Sequence, residues 1–191
     1  AIGRGDVLSP RGASAMVGLS MLRQIALVAS ESDHPPMATA GDGLLGILAQ
    51  DTLRASFNEL NLGSSFELTY GRVTGLTPFS YAAGSMPMIF DESISANLMI
   101  GSFGNEAALI ASAGERSKTR TLAGTDNLPG QAILYAMAHE PLIGEEIYAG
   151  GAYMNANPMH EASLHAQDVF RWAIAGLVIL LSLIGLIEGL L

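Results

Sequence analysis

The side chains best placed to do chemistry sit in four glycine-rich turns: Gly41-Asp42-Gly43, Gly101-Ser102-Phe103-Gly104-Asn105, Gly124-Thr125-Asp126-Asn127 and Gly144-Glu145-Glu146. Each follows a short apolar run and precedes a stretch with helical spacing. Glycine permits close backbone approach, and the first turn of a helix offers free N–H groups to a ligand. Gly41, Asp42, Gly43, Ser102, Gly104, Asn105, Thr125, Asp126 and Glu145 are therefore candidate ligand-binding residues. A plainer reading stands beside this one. Asp42, Asn105 and Asp126 are also good helix caps and turn residues, and the glycines suit tight strand-to-helix turns. The acidic character of the set argues against a phosphate pocket without a bound cation.

Signatures of specific reactions fail one by one. There is no Gly-x-x-x-x-Gly-Lys-Ser/Thr loop, no Gly-x-Gly-x-x-Gly after the first strand expected from the pattern, and no Gly-x-Ser-x-Gly elbow. His160-Glu161 and His165 suggest a zinc helix, but the histidines are one residue too far apart, which turns the second off the shared face. Glu145 and Glu146 are adjacent, so on a helix their side chains diverge by ~100° and form no acid–base pair. With no cysteine, thiolate metal sites, disulfides and cysteine nucleophiles are excluded. The pattern indicates no metal and no cofactor.

The elements that must position these turns follow from spacing. Ser9-Pro10 opens a helix to about Ser32, with Val17, Met21, Leu22, Ile25, Val28 and Ala29 on its apolar side. His34-Pro35-Pro36 stops it. Then strands and helices alternate. Strands are expected at Met37–Ala40, Ser65–Tyr70, Ala96–Ile100, Thr119–Ala123 and Pro141–Ile143. Between them, helices run to about Leu60, from Thr77-Pro78, from Glu106 and from Leu128, and one more ends near Met154. The apolar residues of the helix before Asn61 are Leu44, Ile47, Leu48, Leu53, Phe57 and Leu60, and Pro87 should kink or end the helix that contains it. Such alternation predicts an α/β fold: a doubly wound, mostly parallel, five-stranded Rossmann-like sheet, with ligands expected at the carboxyl ends of its strands.

A different physics governs the end of the chain. From Trp172 to Leu191 the run is apolar with Glu188 as its only charge, and at ~1.5 Å per residue it spans a ~30 Å hydrocarbon core. The expected organisation is a soluble domain over 1–154, a polar tether over 155–168 and a transmembrane helix over 169–191. Arg171 and Trp172 suit the near interface, and the lack of basic residues beyond suggests a cytoplasmic domain on a single-pass anchor in the cell membrane. Glu188 either snorkels to the far interface or meets a partner. Ser182, Gly185 and Gly189 fall on one face, a small-residue stripe on which a second helix can pack.

Composition narrows the partners. The chain has 191 residues, 49% hydrophobic and 14% charged, with a formal net charge of −9 and Lys118 as its single lysine. No basic stripe exists, so nucleic acid is excluded as a partner. Anionic headgroups should repel the domain, leaving insertion as its means of holding the lipid. Small apolar residues favour close helix-on-sheet packing. The opening Ile2-Gly3-Arg4-Gly5-Asp6-Val7-Leu8 reads like an interior segment, which suggests sequence upstream of Ala1.

Several stretches resemble a family of bacterial membrane-associated proteins known as a domain of unknown function. They are Leu8-Ser9-Pro10-Arg11-Gly12-Ala13, Pro78-Phe79-Ser80-Tyr81-Ala82-Ala83-Gly84, Gly101-Ser102-Phe103-Gly104-Asn105-Glu106-Ala107, Leu142-Ile143-Gly144-Glu145-Glu146 and Ala149-Gly150-Gly151-Ala152-Tyr153. The resemblance implies an α/β domain tied to a membrane helix and supplies no reaction. Three functions are then expected in order. The first is a non-enzymatic, membrane-anchored scaffold or assembly subunit, forming a homo-oligomer or joining a larger membrane complex. The second is a small-molecule sensor or enzyme using the strand ends. The third is an accessory subunit of a respiratory or photosynthetic complex.

Overall fold

The structure is a computed structural model that describes residues 1–3, 12–30, 32, 35–91, 94–153 and 158–190, with the side chains of 91, 151–153, 158–164 and 186–190 left out. It divides into two units, 1–156 and 157–191. In the first, helices and short strands alternate: α1 (Gly12–Ala29), β1 (Ala38–Ala40), α2 (Gly43–Glu59), β2 (Gly71–Val73), α3 (Pro78–Asp91), β3 (Ala96–Gly101), α4 (Ala107–Arg116), β4 (Arg120–Thr125), α5 (Leu128–Met137), β5 (Glu140–Leu142) and α6 (Glu146–Tyr153).

The α/β alternation is as expected, but a single five-stranded sheet does not form. There are two parallel sheets, β1-β2 and β3-β4-β5. The reason lies in what separates them. Residues 1–3 run between β1 and β3 and bond to both. On one side the Ile2 amide donates to the Thr39 carbonyl at 2.8 Å and the Gly41 amide to Gly3 at 2.9 Å. On the other, the Ala1 amine donates to Leu98 at 2.7 Å and the Ile100 amide to Ala1 at 3.0 Å. These bonds put Ala1 level with Met99, whereas Gly3 bridges Ser102. The β3 side thus carries one extra residue, as in a β-bulge. Gly101 adopts φ +148°, and a Cβ there would lie 2.1 Å from the Ile2 carbonyl oxygen, so only glycine fits.

Helices cover the strands in two sets. α1 packs on α2, α6 and β3, while α4 packs on α3, α5 and β4. Alternate residues of the central strands feed the two cores. Met99 and Ala123 join Tyr81, Phe103, Ile110 and Leu134; Ile100 joins Val17, Met21 and Ile147. Ile2, Ala38 and Ala40 pack with Leu19, Leu22, Leu45 and Leu53. Much of this interior is alanine, as the composition suggested. Each fully buried large side chain contributes about 1.5–3 kcal/mol.

Local expectations fail where tertiary contacts compete. Ser65–Tyr70 is not a strand. Short 3-10 turns occupy Gly63–Ser65 and Leu68–Tyr70, and the strand begins at Gly71. The Gln50 amide group donates to the Leu68 and Gly71 carbonyls at 3.1 and 2.7 Å, and Phe66 and Tyr70 pack against Phe57. On α2 the buried residues are Leu45, Gly46, Ala49, Leu53, Ser56 and Phe57, while the apolar Leu44 and Ile47 are exposed. Val28 is also exposed. Pro87 does not end α3, which continues to Asp91. Asn61, at φ +61°, does stop α2. Ser9, Pro10 and His34 lie outside the described residues.

The second unit is one helix, α7 (Pro158–Leu190), 33 residues and ~50 Å long. The stretch 158–168, expected as a polar tether, is its first part. The window His165–Gly185 is long and apolar enough to cross a membrane, and its side chains are exposed. α1 passes the same test of length and composition, but half of it is buried in the domain core.

Candidate functional site

Local chemistry explains most of the rim at the carboxyl ends of the strands. After β1, Asp42 has an extended backbone and caps α2, its Oδ1 accepting from the Leu44 and Leu45 amides at 2.9 and 3.2 Å. Gly41 bonds back to Gly3 through its amide, and Gly43 begins the helix. After β4, the fully buried Thr125 is a clasp. Its hydroxyl accepts from the Phe103 amide at 2.9 Å, donates to the Phe103 carbonyl at 3.1 Å and accepts from the Asn127 amide at 3.3 Å. Asn127 then caps α5 through the Gly130 amide at 3.5 Å. Gln131 bridges two turns, donating to Thr125 O at 3.0 Å and accepting from the Gly144 amide at 3.3 Å.

After β3, Ser102 is buried against Gly3. Glu106 is 5% exposed and folds back so that Oε1 accepts from the Gly104 amide at 3.0 Å. Asn105 is exposed in the turn before α4, and its carbonyl accepts from the Ala108 amide. Under this rim, the buried Tyr81 hydroxyl accepts from the Gly3 amide at 3.2 Å and lies 3.2 Å from Thr39 Oγ1. Burial pushes the Tyr81 phenol up to about 12. It stays neutral and holds the chain in place.

One carboxylate departs from the pattern. Asp126 Oδ2 accepts from the Ser14 hydroxyl of α1 at 3.0 Å, while Oδ1 is buried without a hydrogen-bond partner. Buried polar atoms are nearly always paired, so an orphaned carboxylate oxygen at a strand end is a place for a ligand donor. The nearby Tyr148 phenol is raised by burial and then by the Asp126 charge.

The family model described as "Domain of unknown function (DUF6754)" matches residues 7–190. The chain belongs to this family. The match covers nearly all of the α/β domain together with α7. No curated protein matches the chain, and no solved structure matches it.

For this DUF6754 chain, the candidate residues do not converge on one point. Gly41 and Ser102 are joined through Gly3, and Asp126 sits beside α1. Asp42 and Glu145 follow β1 and β5, separated by four strand spacings of ~4.8 Å. No small ligand touches both. Ser182 and Gly185 are exposed on α7, with open space where a Gly185 Cβ would lie; Glu188 and Gly189 fall where side chains are not described. Among the described residues no group of three or more His, Cys, Asp or Glu could hold a metal. His139 instead accepts the Thr121 amide on Nδ1 at 3.2 Å. Ser14, Glu106, Tyr81 and Gly3 bond at this rim but are not among the candidate residues named from the sequence. Of these only Gly3, in Gly3-Arg4-Gly5, carried a usable signal.

Proposed function

We propose that this DUF6754 protein is a non-enzymatic, membrane-anchored scaffold or assembly subunit, self-associating or built into a larger membrane complex. One observation carries the reading: the exposed, apolar window His165–Gly185, which lacks the polar face a solvated helix needs. Inserted in a cell membrane as a single-pass anchor, with Arg171 at the near interface, the domain faces the cytoplasm. Ser182 and Gly185 then allow a neighbouring helix close approach. The rim supports a structural role too, because Asp42, Thr125, Asn127 and Glu106 are engaged in caps and clasps. An accessory subunit of a respiratory or photosynthetic complex differs only in its partner. Native mass spectrometry in detergent tests the assembly: an oligomer or co-purifying subunit is expected, and a lone monomer sinks it. Release from membranes by alkaline carbonate would sink the anchor.

A second reading, a small-molecule sensor or enzyme, is favoured by the orphaned Asp126 Oδ1. With residues 1–3 counted as a strand, the order becomes β2-β1-(1–3)-β3-β4-β5, a doubly wound, Rossmann-like arrangement. Its topological switch point lies between residues 1–3 and β3. A thermal-shift screen of nucleotides, sugars and metal ions separates the readings. A stabilising ligand whose effect disappears in Asp126→Ala favours the second; no shift across the panel counts against it.

A further inference from the structure

The helices α3, α4 and α5 form one layer, with α4 packed against both of the others. Their inner residues, among them Tyr81, Ile89, Ile110 and Leu134, share a core with Met99 and Ala123 of the sheet. A helix in such a layer should carry charge on its outer side. Two of these do not. α5 has no charged residue, and α3 has only Asp91, its last. On α3 the exposed residues Phe79, Ala83, Pro87 and Phe90 recur at helical spacing and make an apolar stripe. On α5 Leu128, Ala132, Tyr135 and Ala136 do the same. Leu109 of the middle helix is exposed as well, and the charged Glu115 and Arg116 stand only at that helix's end. The helix α2 shows the contrast, with Asp51, Arg54, Asn58 and Glu59 among its exposed residues.

A helix that is apolar on both sides is normally covered on both. The size of the bare face says by what. Phe79, Phe90, Leu109, Leu128 and Tyr135 are 38–77% exposed. At about 200 Å² for a whole large side chain, they leave about 600 Å² bare, already at the upper end of what a monomer exposes in one patch. The outward alanines and Pro87 bring the face toward the ~800 Å² that each partner of a stable dimer buries. Its relief suits a like face, because large side chains alternate with alanine along both outer helices, so that the ridges of one copy meet the hollows of another. A lipid surface calls for a basic fringe. Here Arg116 is stacked on the Phe90 ring at 5.7 Å and Arg120 is paired with Glu140, in a chain of net charge −9.

We infer that the outer face of α3, α4 and α5 is the surface through which two copies of this chain associate, related by a two-fold axis. The inference rests on the self-associating reading above and names the surface it uses. Such a contact is isologous: the same patch serves both copies, so the middle helix α4 meets its own counterpart and Leu109 comes near its equivalent. The two acidic copies join where α3 and α5 carry no ion to desolvate, and Glu115 and Arg116 stay at the wet margin.

Cross-linking of the 191-residue chain in proteoliposomes tests this, and the lack of cysteine lets single ones be placed. Leu109→Cys should give a covalent dimer with a short bismaleimide, and Ile47→Cys, exposed on α2, should give none. Adding Leu128→Glu and Tyr135→Glu to Leu109→Cys should lower the yield about tenfold, because each carboxylate must be desolvated at the contact. Circular dichroism checks that the fold is kept, and Ala132→Glu in their place is a second variant. Equal yields from Leu109→Cys and Ile47→Cys, or a yield that the glutamates leave unchanged, overturn the proposal. So does bimane fluorescence at Leu109→Cys that spin-labelled lipid quenches, which would lay this face on the bilayer. Native mass spectrometry separates this failure from that of the scaffold reading. An oligomer that the glutamates leave intact overturns this surface alone, whereas a wild-type monomer with no co-purifying subunit overturns both.

Discussion

The two ends of the parallel strands are built on opposite principles. At the carboxyl end nearly every polar group is engaged at short range: Asp42 caps its own helix, Glu106 turns back on Gly104, and Thr125 clasps Phe103. At the amino end a cavity of about 420 Å³ is lined mostly by apolar side chains, among them Met21, Leu22, Met88 and Ile89. The difference teaches where to look for function. A rim that satisfies itself positions backbone; a cavity lined by apolar side chains leaves room that packing does not fill.

Four measurements break or sharpen this contrast. Gly101→Ala should have the largest effect, because its methyl collides with Ile2 in a backbone conformation that alanine resists. A loss of at least about 3 kcal/mol in urea unfolding is expected, with residues 1–3 displaced from β3. A near-neutral outcome would mean that the join between the two sheets is loose.

Next comes pH. In a chain with a free Ala1 amine, the unfolded state holds its proton up to 8.0 and the folded state only below about 5. Between these values the unfolded state binds more protons, so stability should rise from pH 5 to pH 8 by a few kcal/mol and fall on acidification. Acetylating the amine should flatten that slope. If the slope survives acetylation, the amine is not the source and the amino end is wetter than described.

Thr125→Val preserves shape but strips the buried Phe103 amide and the partly buried Asn127 amide of their acceptor. About 2 kcal/mol should be lost in the same unfolding assay. Asp42→Ala removes only a cap, and about 1 kcal/mol is expected without any ligand present. A larger loss that appears only when a ligand is added would give Asp42 a binding role beyond its capping one.

How much was legible depends on how local each cause is. β3 was read almost to the residue, because its apolar run lies between turn signals. The stop at Asn61 was read from a local conformational preference. The segment Ser65–Tyr70 was misread because its alternation resembles a strand, while its backbone answers to Gln50 and its rings to Phe57. Which apolar residues of α2 are buried was not legible, because leucines and isoleucines surround the helix and only packing against α1 and β1 selects among them. The turns that hold the candidate rim residues follow β1, β3, β4 and β5. That Asp126 keeps one buried oxygen without a partner, and that its other oxygen accepts from Ser14 across 112 positions, came from the tertiary structure.

The sequence by itself determined the α/β alternation, the turns that end each strand and the apolar helix at the end of the chain. All of these rest on periodicity and conformational preference within a few residues. Tertiary structure alone decided that the strands form two sheets and that residues 1–3 join them. The bonds responsible link positions as far apart as Ala1 and Leu98. Three residues carry too little pattern to announce themselves as a strand, and they become extended only because backbone groups on both sides require partners.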